Sequence, residues 1–180
     1  MFGRKVGNIV EHSKGAEQTT LRATACLKEK QPEFTFIHLD HADRAGHDYS
    51  HSTLQYYRTV AEVDCLIDLI LQGLKVASVA KSTIVLITID HGGKGKGKGK
   101  GKGKGKGKGK GKGHGSATMG EIEIAWILIG PGVTTGKELT THVNTYDTAA
   151  TVTYVVGWKT PKYWIARPIL AVFAIDAARQ

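Results

Sequence analysis

From Gly93 to Gly113 the chain is a strict alternation of glycine and lysine, and no residue of that stretch can enter a hydrophobic core. Like charges on a glycine-rich backbone repel one another and offer nothing to bury, which predicts an extended, mobile loop rather than a helix or strand. Whatever folds must be built from the segments on either side. The tract also sets the formal charge of +9: removing its ten lysines from the 25 basic residues leaves 15, against 16 acidic ones. The rest of the chain is near neutral, so the basic balance implies no basic face on the folded part. Such a polycation can bind nucleic acid or an anionic surface nonspecifically through counterion release. With no interleaved aromatic residue it has no means of reading bases. It also lacks the single Gly-Lys-Ser/Thr ending of a phosphate-binding loop.

The 180 residues, 41% of them hydrophobic, suffice for one domain with a sizeable core. The expectation is therefore one unit over residues 1–180, with residues 93–113 inserted in it as a low-complexity loop. Cys26 and Cys65 lie in expected helices, without the spacing of a zinc or redox motif, and read as two buried thiols. Met1 is followed by Phe-Gly-Arg-Lys-Val rather than by a basic start and an apolar run, so neither a signal peptide nor a membrane span is visible.

Hydrophobic periodicity places the elements. Residues 16–30 have helix-forming composition, with Leu21, Ala25 and Ala23 or Leu27 toward one side, and Gln31-Pro32 ends them. Phe34 to Leu39 is short, apolar and rich in aromatic and β-branched residues, and predicts a buried strand. Ser52 and Gln55 form a capping-box pattern before Leu54, Tyr57, Val60, Val63, Ile67, Ile70 and Leu74, which predicts an amphipathic helix to about residue 78. Thr83 to Ile89 reads as a central strand covered on both faces, and Ile122 to Ile129 as another buried strand. Asn144 or Thr145 would cap a helix from Asp147 that stops at Gly157, and Ile169 to Ile175 would be extended. Alternating strands and helices imply an α/β fold: a mostly parallel sheet with helices on both faces, and chemistry beyond the carboxyl ends of the strands.

Two of those strand ends lead into metal-binding residue types. Leu39 runs into Asp40-His41-Ala42-Asp43-Arg44-Ala45-Gly46-His47, Ile89 into Asp90-His91-Gly92-Gly93, and His114 follows the tract. Carboxylate oxygen and imidazole nitrogen both bind Zn²⁺ at about 2 Å, and mixed Asp/His sets also suit Mn²⁺. One strand-end Asp or His is ordinarily a cap or a solvated loop residue; paired sets are less easily explained that way.

The ordered segments FTFIHLDHADRAGH, YYRTVAEVDCLID, TIVLITIDHGGKGKG, GHGSATMGEIEIAWILIGPGV and YDTAATVTYVVGWKTPKYWIARP resemble the C-terminal half of type I phosphodiesterase/nucleotide-pyrophosphatase-like alkaline phosphatases. The succession Asp-x-x-Gly-His, Asp-His-Gly, Gly-His-Gly is more specific than any of its pieces. The resemblance implies an alkaline-phosphatase-like fold, incomplete at its N-terminal side. It also implies metal-dependent hydrolysis of small phosphate mono- or diesters and two divalent ions, commonly zinc, with Mn²⁺ or Mg²⁺ as alternatives. By motif, Asp43, His47 and His114 would hold one metal, and Asp90 and His91 part of the second. Asp40 competes with Asp43, which stands four residues before His47 as the motif requires. Sulfatases and phosphomutases share this metal architecture. A periplasmic or secreted parent enzyme is implied as well.

The family's Thr or Ser nucleophile, and the Asp that accompanies it, come from an early strand and helix whose motifs are not found here, so no catalytic residue is assigned. Ser13, Thr19 and Thr20 read as surface and helix-start residues. Alone, the chain would be weakly active or inactive. Ala125 stands where the family has proline, Arg44 reads as solvated, and His38, His41 and His51 read as residues flanking the ligands or at the surface. In the family the link between the last two motifs is a few residues, whereas 22 separate His91 from His114 here. Repeat slippage accounts for the excess, and growth of a flexible loop from ~6 residues costs only on the order of 1 kcal/mol, so His114 would still reach a shared metal.

Overall fold

The computed structural model describes residues 15–93 and 118–174. Residues 94–113 of the Gly-Lys tract, His114, Ser13 and Ile175 lie outside them. Helix α1 (Ala16–Lys30) occupies the expected span, and Gln31 turns into the left-handed region (φ 42°) ahead of Pro32. Its buried face is Ala16, Thr20 and Leu27, while Leu21, expected inward, is exposed. Helix α3 (Leu54–Val76) starts one residue later than its capping-box pattern suggests: Thr53 is the cap, its hydroxyl accepting from the Tyr56 amide at 3.3 Å. The α3 stripe is buried only in its second half. Ile70 and Leu74 join Leu27 in the core, with Ile37, Leu71, Val79, Ala80 and Val85 around them, whereas Leu54, Tyr57 and Val60 face outward. Apolar spacing alone states which residues share a face, not whether the face finds cover.

Strand β1 (Val85–Thr88) follows, then a short helix α4 (Met119–Ile122), strand β2 (Trp126–Ile129) and helix α5 (Asp147–Val156), which stops at the left-handed Gly157. The first half of the strand expected over residues 122–129 is thus the end of α4 and a connector. The segment from Ile169 holds a 3₁₀ turn, Leu170–Val172, and a lone antiparallel bridge from Phe173 to Val133 instead of a continuous extended run. Cys65 is exposed and Cys26 half-buried, so the expectation of two buried thiols fails.

The largest correction concerns the sheet. Among the described residues it consists of β1 and β2 alone, paired antiparallel from Val85↔Ile129 to Thr88↔Trp126. A parallel neighbour requires the chain to be carried back to the start of the first strand. Here it re-enters beside the end of β1: the Gly92 amide donates to the Glu121 carbonyl at 2.9 Å, and the Thr88 hydroxyl to the Ala125 carbonyl at 3.1 Å. All four β1 residues are half-buried, so β1 is not the doubly covered strand its composition suggests. Phe34 to Leu39 is not a strand either; it has no ladder partner among the described residues, and Phe36 is 79% exposed. The observed architecture is mixed α/β: α1 and α2 pack on α3, β1 and β2 form a two-stranded ribbon whose Val85 meets the α1–α3 core, and α5 is tied to β2.

That attachment is polar. The Trp126 indole donates to the Thr148 hydroxyl at 3.1 Å. Buried Asp147, at the start of α5, accepts from the Asn144 amide and side chain and, through its other oxygen, from the Arg167 amide at 2.9 Å. Burial opposes its ionisation, but the Arg167 and Asn144 hydrogen bonds outweigh that and hold its pKa below the usual carboxylate value.

Candidate metal centre

Helix α2 (His41–Tyr49) follows Leu39 and carries the first of these residue sets. Asp43 and His47 are four residues apart on it, so both project from one face. The i, i+4 spacing and the run Ala-Asp-Arg-Ala were the legible signs of this helix. Asp43 Oδ1 lies 3.4 Å from His47 Nε2 and 3.8 Å from His91 Nε2, and His91 Nε2 is 3.7 Å from Asp90 Oδ2. Four of the five expected ligands are therefore linked by pairwise contacts, two from α2 and two from the turn after β1.

The competing carboxylate is engaged elsewhere. Asp40 Oδ2 accepts from Arg44 at 2.6 Å and its Oδ1 stands 3.3 Å from His41 Nδ1. Burial again works against ionisation, and Arg44 and then His41 overcome it, leaving the Asp40 pKa lowered. Arg44, although exposed, is thus paired with Asp40 rather than simply solvated. Thr19 donates to the Gly15 carbonyl, as a helix-start threonine does, and Thr20 is buried at the α1 interface.

The orientation of His91 has a chemical consequence. Its Nδ1 is 2.8 Å from the Gly92 carbonyl oxygen, which can only accept, so Nδ1 carries the proton. In the neutral ring Nε2 then presents its lone pair, and it does so toward carboxylates of Asp43 and Asp90. Imidazole nitrogen and carboxylate oxygen are both donor types for a divalent ion. Tyr56 borders this region; its phenol pKa is raised by burial, then by neighbouring Tyr57 and the charge of Asp43.

Of the two places open to His51 from the sequence, flanking the ligands or at the surface, the structure gives the first: it is 7% exposed, packs on Tyr56 with ring centroids 5.3 Å apart, and lies edge-on to His47 at 6.4 Å. A Cβ added to either Gly46 or Gly93 would collide with its imidazole. No residue pattern announces a histidine buried between two backbones distant in sequence.

Among the described residues, no group of three or more His, Cys, Asp or Glu side chains stands in metal-holding geometry. The contacts are pairwise, Asp90 points largely to solvent, and His114 is outside the description. A profile of the type I phosphodiesterase / nucleotide pyrophosphatase family matches residues 2–96, more than half of the chain. The chain belongs to that family. The matched span contains Asp43, His47, Asp90 and His91, and membership accords with the expected place in the alkaline phosphatase superfamily. Type I phosphodiesterases and nucleotide pyrophosphatases are phosphoric ester hydrolases that act on small phosphate esters and generally use divalent metals. No curated protein matches the chain. Among the described residues no helix is long and apolar enough to cross a membrane.

Proposed function

We propose that this chain is the metal-binding, C-terminal portion of a two-metal phosphohydrolase, with Asp43, His47 and His114 toward one ion and Asp90 and His91 toward the other. The observation that carries the reading is the convergence of His91 Nε2 with the carboxylates of Asp43 and Asp90, at 3.8 and 3.7 Å. Donor type fits as well: ~2 Å bonds in a tetrahedral zinc site put neighbouring donors a little over 3 Å apart, and the two same-ion pairs, Asp43–His47 and Asp90–His91, are separated by 3.4 and 3.7 Å. Zinc is the favoured ion, with Mn²⁺ or Mg²⁺ as alternatives.

Bound divalent ions would neutralise charge developing on the phosphoryl oxygens of a mono- or diester. The chain's own residues do the positioning. Helix α2 fixes Asp43 and His47 at one spacing, and the Gly92 carbonyl fixes the His91 tautomer. Arg44 keeps Asp40 out of the cluster.

The nucleophile and the strands that complete the sheet would come from a complementing segment. In support, Phe34–Leu39 and β1 have unused pairing capacity among the described residues, and Phe36 and the outer half of the α3 stripe are uncovered. A periplasmic or secreted location goes with the same reading. The test combines zinc and a chromogenic phosphate ester with the full chain. Zinc retained through dialysis with slow or no turnover is expected. Failure to retain zinc overturns the metal assignment; brisk, chelator-sensitive turnover overturns the missing-nucleophile assignment.

A further inference from the structure

We infer that His51 is a positioning residue for this metal centre, acting as the spacer that sets the distance between its two ligand pairs; the inference rests on the metal-binding reading above. His47 and Asp43 belong to α2, Asp90 and His91 to the end of β1, and no continuous element joins them. The imidazole of His51 fills the gap. It touches the backbone of Gly46, next to His47, and the backbone of Gly93, two residues after His91, closely enough that neither glycine can carry a side chain. The ring is held from behind by Tyr56 and is 7% exposed. A flat ring between two glycine backbones fixes their separation to within its own thickness, because close-packed neighbours cannot yield without leaving a void.

No hydrogen bond at Nδ1 accounts for the residue: that buried nitrogen finds no partner among the described residues, and the contacts that stand out are those of the ring's shape with the two glycines. Gly93 is therefore glycine because His51 occupies the space of its missing side chain, and the two positions form one unit.

The experiment is a Co²⁺ titration of the full chain, because the visible d–d absorption of Co²⁺ reports ligand geometry. Wild type, His51→Ala, Gly93→Ala and the double variant are compared after circular dichroism shows each folded. Loss of either half of the unit is expected to weaken Co²⁺ binding by about tenfold or more, the range seen when groups that orient ligands are removed, and to alter the absorption band. In the double variant the new methyl takes the emptied place, and affinity and band return toward wild type. If His51→Ala binds Co²⁺ with unchanged affinity and band, the spacer assignment is wrong while the metal centre stands. If wild type itself binds no Co²⁺, the metal reading falls and takes this inference with it.

Discussion

His91 Nε2 lies 3.8 Å from Asp43 Oδ1, a contact that joins the end of a strand to the middle of a helix 48 residues earlier in the chain. It makes Asp43, not Asp40, the acidic partner of the Asp-His-Gly turn. Asp43→Asn should weaken zinc binding by at least about tenfold, since even groups outside the ligand shell are worth that much. Asp40→Asn should change it by less than about threefold. Competition against a fluorescent zinc chelator measures both, and equal losses would show that the two carboxylates share the role.

Zinc should also stabilise the fold. At free metal a hundredfold above its dissociation constant, a ligand that binds only the native state adds about 2.7 kcal/mol. Urea denaturation with zinc and with a chelator reads the difference; coincident curves would rule out a native-state site.

Asp147 should be a principal acid-sensitive group. Its folded pKa is lowered, so its contribution is complete above the unfolded value near pH 4 and is lost as pH falls through that value toward the folded one. Asp147→Ala should cost about 2–3 kcal/mol at neutral pH, because three hydrogen bonds to a carboxylate are lost. The gap between variant and wild type should narrow from about pH 5 to about pH 3. A gap independent of pH would mean that the charge is not what holds Asn144 and Arg167.

Gly73 of α3 packs on α1 so closely that a Cβ there would meet the Thr24 methyl at 2.5 Å. Alanine gains up to about 1 kcal/mol in helix propensity, but overpacking against a β-branched side chain costs about 1–3 kcal/mol, so Gly73→Ala should destabilise on balance. Adding Thr24→Ser removes the methyl and keeps the hydroxyl that donates to the Thr20 carbonyl at 2.8 Å. The double variant should be at least as stable as wild type in thermal melts; continued destabilisation would place the strain elsewhere.

The indole bond from Trp126 to Thr148 ties β2 to α5. Trp126→Phe should therefore cost about 1 kcal/mol, seen as an earlier denaturation midpoint.

What the sequence made legible was local. Helices α1, α3 and α5 were readable because apolar spacing, Gln31-Pro32 and Gly157 act within a few residues of where they sit. The ligand pairs were readable because Asp43–His47 and Asp90–His91 are each short in sequence. Strand direction was not, since Val-Leu-Ile-Thr looks alike in either orientation and pairing is decided by where the chain re-enters. Burial was misjudged for the same reason: Cys65, Leu54 and Tyr57 carry apolar character, yet cover for them depends on partners remote in sequence. His51 was legible as a neighbour of the ligands, but its burial was not, because its surroundings are two glycine backbones, one of them beyond the whole of α3.

The antiparallel register gives the excursion between the two strands a particular character. Thr88 faces Trp126 and Gly92 is bonded to Glu121, so the chain departs and comes home at neighbouring addresses. Length added between such a pair is penalised only logarithmically, and the rungs of the ladder do not depend on it. The stitch is closed before the Gly-Lys repeat begins, which makes this hairpin a natural cloning port, where a reporter or a protease cleavage sequence can be spliced in while the ribbon keeps its register.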